Sequence, residues 1–379
     1  MKILHVVNIS FVIPFFLGEQ LNYFVSKGYK EYVVCSPSNE LEAFAKRYEF
    51  ENHPTNVLRR FSLASDIKAI AYVYNLIRRE RIDVVNGHTP KGALIAMIAS
   101  YIARIPKRIY FRHGLVFETS KGPKRWVLKT VDILTAKLAT RIVNVSPSLA
   151  KICLEEKLNP ANKQVLLSAG TCNGIDTFLF SRDSIIDEKL IELRSHLNIK
   201  KDSFVVGYAG RLVRDKGIVE LVQAFLVVKE SCPNLKLMLV GMLEERDALP
   251  RDIVDIIKNN KDIINVGYVS HYDMPYFYAV MDVFVLPSYR EGFPTSILEA
   301  SSMQLPVITT NVTGCRDAII EGESGLFVNH SSEDIGKAIK KLYDKPTECA
   351  EIGRKGRLFV TTYFQQKIVW DEIEKMYNS

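Results

Sequence analysis

Short apolar runs alternate with longer amphipathic segments along the whole chain, the pattern of parallel strands joined by crossover helices. In the first half the runs predict strands at Lys2 to Val7, Tyr32 to Cys35, Val84 to Asn86, Arg108 to Phe111, Arg141 to Val145 and Val165 to Leu167. Between them Ile67, Ile70, Ala71, Tyr74 and Ile77 recur at helical spacing within Leu63 to Arg79, and Gly92 to Arg104 predicts a second helix. Asn173 to Lys200 is polar and reads as a domain connection. The series then restarts, with strands at Phe204 to Tyr208, Leu235 to Val240, Ile263 to Val266, Val283 to Leu286, Val307 to Thr309 and Leu326 to Val328. Tyr363 to Tyr377 closes the chain as an amphipathic helix that needs a surface to cover.

The expected architecture is therefore α/β twice over. A Rossmann-like domain spans residues 1–185, a second spans 186–360, and the terminal helix, 361–379, packs back on the first. A length of 379 residues suits two such domains, and 47% hydrophobic residues can fill both cores. The composition excludes a disordered chain, and no short-period repeat is present.

Six scattered cysteines (Cys35, Cys153, Cys172, Cys232, Cys315, Cys349) show neither a Cys-x-x-Cys pair nor zinc spacing, which suits a reducing cytoplasm. Lys2-Ile3-Leu4 opens like a secretory signal, but His5, Asn8, Ser10 and Pro14 interrupt the apolar run and point to a strand. No stretch reaches the ~20 apolar residues that span a bilayer, so membrane contact is expected to be peripheral.

Charge sharpens that expectation. Residues 1–185 carry 26 Lys+Arg against 15 Asp+Glu, leaving 24 against 28 for the remainder. Clusters at Arg59-Arg60, Arg78 to Arg81, Lys107-Arg108 and Lys121 to Arg125 suit either simple solubility or an anionic partner such as a phosphate-rich ligand or the inner face of a membrane. No nucleic-acid partner is expected.

In open parallel sheets ligands bind beyond the carboxyl ends of strands, where loops become helix N-termini. Two such junctions carry chemistry. Gly207 to Gly217 follows a strand and precedes a helix; its glycines allow close backbone approach, while Arg211 and Lys216 offer a forked and a point charge for a diphosphate. Leu286 to Ala300 places Pro294 as the first helical residue, with backbone N–H groups of Phe293, Thr295 and Ser296 free for an anion. Glu291 and Glu299 border that pocket, and carboxylates can each grip two hydroxyls of a sugar or ribose.

Together these junctions resemble the family 4 retaining glycosyltransferases with the GT-B fold. Glu291 and Glu299, with seven residues between them, match that family's E-x7-E motif, and Gly210-Arg211 with Lys216-Gly217 match its diphosphate-binding segment. Phe284 to Ser288, Thr313 to Asp317 and Gly325 to Val328 resemble further family segments. In the first half the resemblance covers topology, Arg112-His113-Gly114 after a strand, and Asn173 to Asp176. One departure stands out: the family's Gly-Gly loop after the first strand is replaced by Phe11 to Gly18, with a single glycine. Phe15 and Phe16 there either pack or face a lipid or acceptor sugar.

The resemblance implies two Rossmann-like domains facing a central cleft, with the last helix crossing back. It implies a nucleotide diphosphate sugar as donor, UDP-linked by family frequency, and retention of anomeric configuration. Catalytic roles fall to Arg211, Lys216, Glu291 and His113; donor contacts fall to Gly210, Gly292, Phe293, Pro294, Thr295 and Glu299. The chain has no Asp-x-Asp metal motif, so cations and the helix N-terminus are expected to stabilise the departing diphosphate, with no metal and no cofactor beyond the donor. The expected acceptor is a glycan carried on a polyprenyl diphosphate.

Other readings share parts of this pattern. A dinucleotide oxidoreductase would need G-x-G-x-x-G after the first strand of a half, which neither half shows. A sugar-nucleotide 2-epimerase shares the architecture but uses no acceptor, and a catalytically silent nucleotide-sugar binder would keep Arg211, Lys216 and Glu299 without turnover. An exported solute-binding protein would carry a signal peptide.

Overall fold

In the computed structural model, which describes residues 1–58, 62–118, 120–245 and 247–379, the chain divides into two compact units. One comprises Met1–Gly174 with Gln366–Ser379, the other Ile175–Gln365. The Arg59-Arg60 cluster lies outside the described residues.

Among the described residues the first unit holds a seven-stranded sheet. Its strands are β1 (Lys2–Val6), β2 (Lys30–Cys35), β3 (Glu51–Pro54), β4 (Val84–Gly87), β5 (Lys107–Arg112), β6 (Arg141–Asn144) and β7 (Gln164–Val165). They lie in the order β3-β2-β1-β4-β5-β6-β7 with all neighbours parallel. Side-chain alternation sends Leu4, Val6, Tyr32 and Val34 to one face, against Val73, Leu76 and Ile77 of the helix Leu63–Glu80. The other face receives Val7, Val33 and Cys35, packed with Leu17, Leu21 and Leu41. Both faces are covered, which is why the strands read as nearly continuous apolar runs. Strand β3 gives no such signal: its Glu-Asn-His-Pro sequence sits at a sheet edge, where polar residues and a proline are tolerated.

The second unit repeats the plan with β8 (Phe204–Ala209), β9 (Leu235–Val240), β10 (Ile263–Gly267), β11 (Val283–Leu286), β12 (Val307–Thr310) and β13 (Gly325–Val328). Their order is β10-β9-β8-β11-β12-β13, again parallel. In each sheet the strand order reverses beside the first strand, so a topological switch point lies between β1 and β4 and another between β8 and β11.

Two expectations about boundaries need correction. The expected division at 185/186 falls instead after Gly174, and the polar segment that follows is built into the second unit. Arg182 donates to the carbonyls of Met303 (2.9 Å) and Ala279 (2.7 Å), Arg357 donates to that of Thr177 (3.3 Å), and Asp187–His196 forms a helix. Polarity there serves backbone acceptors within the unit, not a solvated connection.

The terminal segment is likewise not one helix from residue 361 or Tyr363. The helix Pro346–Tyr363 ends, and a new one, Gln366–Asn378, begins three residues later. The carbonyl of Phe364, which a continuing helix would use internally, accepts instead from the N–H of Ile175 at 2.7 Å. The last helix belongs to the first unit. Val369, Trp370, Ile373 and Tyr377 form its buried stripe, Trp370 Nε1 donates to the Asn173 carbonyl (2.9 Å), and the Tyr377 hydroxyl accepts from Asn86 Nδ2 (2.5 Å).

Candidate active site

In the second unit the loops after β8, β11 and β12 converge at the carboxyl edge of the sheet, beside the switch point. Glycine makes the convergence possible. Gly217 has φ 73°, and a Cβ there would lie 2.1 Å from the Pro287 carbonyl oxygen. Gly314 has φ 79°, and its Cβ would lie 2.5 Å from the Gly292 oxygen. Any side chain at either position would push two loops apart.

The first approach carries Lys216, at the end of a 3₁₀ turn, onto the loop after β11. Its ammonium lies 2.5 Å from Glu291 Oε1, and Ser288 Oγ donates to the same oxygen at 2.8 Å. The Lys216 and Glu291 side chains are only 16% and 13% exposed, so this pair is largely shielded from water. The Glu291 N–H donates to the Thr313 carbonyl (3.3 Å), which ties in the third loop. Tyr289, next to Ser288, stacks on His330 with ring centroids 4.0 Å apart.

The helix beyond this loop is Thr295–Ser302, and Pro294 is its N-cap with φ −81° and ψ 96°, not its first helical residue as expected. The extended ψ puts the proline outside the helix by one position. Proline has no side chain able to cap, so the Thr295 and Ser296 N–H groups keep their capacity for an external acceptor, while that of Ile297 donates to the Pro294 carbonyl at 3.1 Å. Gly292 and Phe293 lead into that turn, and Phe293 packs near Phe364 with centroids 5.4 Å apart.

Glu299 occupies a different environment from Glu291. It is 8% exposed, accepts from the Tyr278 hydroxyl at 2.8 Å, and lies 3.8 Å from His271 Nδ1. Burial pushes its pKa up, with His271 and Tyr278 pulling the other way. Burial also holds the Tyr278 hydroxyl well above the usual phenol range, so it stays a proton donor.

Arg211, by contrast, is half exposed on the loop after Gly210, with Nη1 3.1 Å from Glu244 Oε2. Its carbonyl accepts from the Tyr208 hydroxyl at 2.8 Å. Lys216, Glu291, Gly292 and the helix start are thus gathered at one edge, Glu299 lies inward along the helix, and Arg211 stands toward solvent. Ser288, Thr313, Tyr278, His271 and Glu244 complete these contacts without having been named as site residues. Ser288 carried a faint signal, three residues before an acid; Tyr278 and His271 are remote in sequence and carried none.

His113 belongs to the first unit, just beyond β5. Phe16 stacks flat on its ring at 3.7 Å, which gives that member of the aromatic loop a packing role. Arg112 before it is fully buried, held by Asp132 Oδ1 (2.5 Å) and Asn159 Oδ1 (2.7 Å). Among the described residues no three His, Cys, Asp or Glu side chains are gathered as a metal would require, and no helix is long and apolar enough to cross a membrane.

Two Rossmann-like units, one bearing a glycine-shaped cationic loop against an E-x7-E loop and helix, define a glycosyltransferase of the GT-B fold. Residues 191–359 match the family Glycosyl transferases group 1, and residues 2–146 match Glycosyl transferase 4-like. The capsular polysaccharide biosynthesis glycosyltransferase CapM of Staphylococcus aureus is 36% identical over 380 residues, covering 100% of this chain and 97% of that protein. The chain belongs to this glycosyltransferase family.

An Escherichia coli enzyme, UDP-Gal:alpha-D-GlcNAc-diphosphoundecaprenol alpha-1,3-galactosyltransferase, is 30% identical over 303 residues, 78% of this chain and 75% of its own. The crystal structure of HepE from Anabaena, in complex with UDP and glucose, shares the fold with a TM-score of 0.80 at 19% identity, over 100% of both chains.

Proposed function

We propose that this glycosyltransferase moves a hexose or N-acetylhexosamine from a UDP-sugar to a glycan on a polyprenyl diphosphate, with retention and without a metal, in surface polysaccharide assembly. The observation that carries the reading is the shielded Lys216–Glu291 pair set against the uncapped start of Thr295–Ser302. An ammonium has three N–H donors, so Lys216 can keep Glu291 and still meet a phosphate oxygen. Helix N–H groups add fixed positive potential where charge grows as the anomeric C–O bond breaks. Arg211 supplies a second cation once it turns from Glu244. Glu291 Oε2 is available to a sugar hydroxyl, Glu299 takes the ribose, and His113 meets the donor sugar.

The names of the Staphylococcus and Escherichia relatives support a capsule-type pathway and a lipid diphosphate acceptor. A surface on the first unit suits such an acceptor. Along the helix Gly122–Leu138, Trp126 is 70% exposed, Val127 and Leu134 are exposed, and the exposed Lys121 and Lys124 stand at its N-terminal end. Apolar and basic side chains on one exposed helix fit peripheral contact with an anionic membrane.

The test is transfer from labelled UDP-sugars to a synthetic polyprenyl-diphosphate glycan after exhaustive chelation, with product anomericity read by NMR. Lys216→Ala and Arg211→Ala should each lower the rate by about 10²-fold or more. Rates within about twofold of the parent would remove their assigned role, and an inverted product would remove retention.

A further inference from the structure

The first unit contains a row of buried polar side chains that the reaction scheme leaves unused. Strand geometry creates it. His5 of β1 lies opposite Val33 of β2 and Asn86 of β4, and alternation brings Glu31 of β2 and His88, just beyond β4, to the same face. His5, His88 and Glu31 are 0%, 1% and 2% exposed. Glu31 Oε2 is 3.1 Å from His5 Nε2, His5 Nδ1 is 3.1 Å from His88 Nε2, and His88 Nδ1 is 3.1 Å from His113 Nε2. His113 Nδ1 then faces Cys172 Sγ at 3.6 Å.

Each link needs one proton. A neutral imidazole has one N–H and one lone pair. Burial holds His88 well below the usual imidazole range and brings His113 down to about 3, so both are neutral near pH 7. Two proton orders remain: every ring donates from Nδ1, toward His113 and beyond, or every ring donates from Nε2, toward Glu31.

Two contacts select the first order. Among the described residues Glu31 Oε1 is buried without a hydrogen-bond partner, which is costly for a carboxylate and mild for the neutral acid, so Oε2 carries a proton toward His5. A proton held on His5 instead would give His88 and His113 the same order. At the far end the Cys172 thiol directs its hydrogen to the Phe16 carbonyl at 3.9 Å, which leaves the sulfur to accept from His113. Asn86 Nδ2, 3.5 Å from His5 Nδ1, is at the outer limit of a hydrogen bond and donates to Tyr377 at 2.5 Å.

We propose that Glu31, His5 and His88 are positioning residues that fix His113 as its Nδ1–H tautomer, so that it meets an oxygen of the bound donor as a hydrogen-bond donor. This rests on His113 contacting the donor, as proposed above. The sulfur is a weak acceptor, so a ligand oxygen can take the N–H from it. Phe16, stacked on the ring, holds the plane in which that N–H points.

Long-range ¹H–¹⁵N correlation of the full chain labelled at histidine nitrogen reads the tautomer directly. His113 is expected with Nδ1 protonated and Nε2 bare. His88→Phe keeps a ring but cuts the line; His113 should lose its fixed tautomer, and kcat should fall roughly 10- to 100-fold with donor KM within about threefold. Glu31→Gln alone offers an amide N–H in place of the acid O–H and should retain both the tautomer and most of kcat.

An Nε2–H tautomer in the parent, or a His113 spectrum untouched by His88→Phe, overturns the proposal. The parent spectrum requires no substitution, so the test stands even if His88→Phe unfolds. If the tautomer is as expected but His113→Ala transfers sugar at the parental rate, the donor contact of His113 is what fails, and the catalytic role of the line fails with it.

Discussion

Replacing Glu291 with Gln should tighten UDP binding while slowing transfer. The carboxylate sits 2.5 Å from the Lys216 ammonium, with both side chains shielded. A diphosphate that reaches Lys216 must therefore come close to the negative charge of Glu291. At a separation of roughly 6 Å and an effective dielectric of about 20 to 40, the repulsion amounts to about 1.4 to 2.8 kcal/mol. Glutamine preserves the shape and an oxygen for Ser288 but removes that charge. After discounting for residual solvent, UDP affinity should rise about tenfold.

Turnover should move the other way, because an amide oxygen holds a sugar hydroxyl less strongly than a carboxylate does. A loss of about 1.5 to 3 kcal/mol at that contact lowers the rate roughly 10- to 100-fold. Titration calorimetry with UDP in chelated buffer gives the first quantity, and single-turnover transfer from labelled UDP-sugar gives the second. If Glu291→Gln bound UDP no better than the parent, or more weakly, Glu291 would not lie beside the diphosphate and the assignment of this loop would fall.

Three other outcomes are expected. Gly217→Ala forces a left-handed backbone on alanine and a contact of 2.1 Å with the Pro287 oxygen; denaturant unfolding should show a loss of about 2 to 4 kcal/mol, and UDP should no longer raise the melting temperature. Trp126→Ala with Lys124→Glu should reduce sedimentation with phosphatidylglycerol vesicles by at least about tenfold while leaving transfer to a water-soluble acceptor intact; equal sedimentation would remove this helix from the membrane reading. Glu299→Gln tests the buried carboxyl: its native pKa is raised above 4.5, so the folded state binds the proton more tightly than the unfolded chain. That contribution to stability is complete below 4.5 and is lost as pH climbs through the raised native value, so the variant should melt above the parent near neutral pH and lose its advantage toward pH 4.5.

Strands with two covered faces were legible as apolar runs, and the glycines and charged residues at their ends marked the loops that converge. Residues whose meaning depends on a distant partner were not legible. Arg182 reads as a surface charge until the carbonyls of Ala279 and Met303 are placed beside it, and Phe364 reads as mid-helix until Ile175 takes its carbonyl. The line from Glu31 through His5 and His88 to His113 is the clearest case. Its members come from four separate stretches of sequence, and Glu31, His5 and His88 each alone are buried polar residues on an apolar strand or at its end.

The E-x7-E motif shows the same limit at closer range. Its spacing places one acid in a loop and the other along a helix, but does not give the surroundings that separate them further. Glu291 faces Lys216 and shares its positive charge, while Glu299 faces a phenol and a histidine in a buried setting that disfavours its charge. A diphosphate entering beside Lys216 therefore perturbs Glu291 far more than Glu299. Substitution of the two acids by glutamine should differ in kind: the first should change anion affinity, and the second should change the pH dependence of stability.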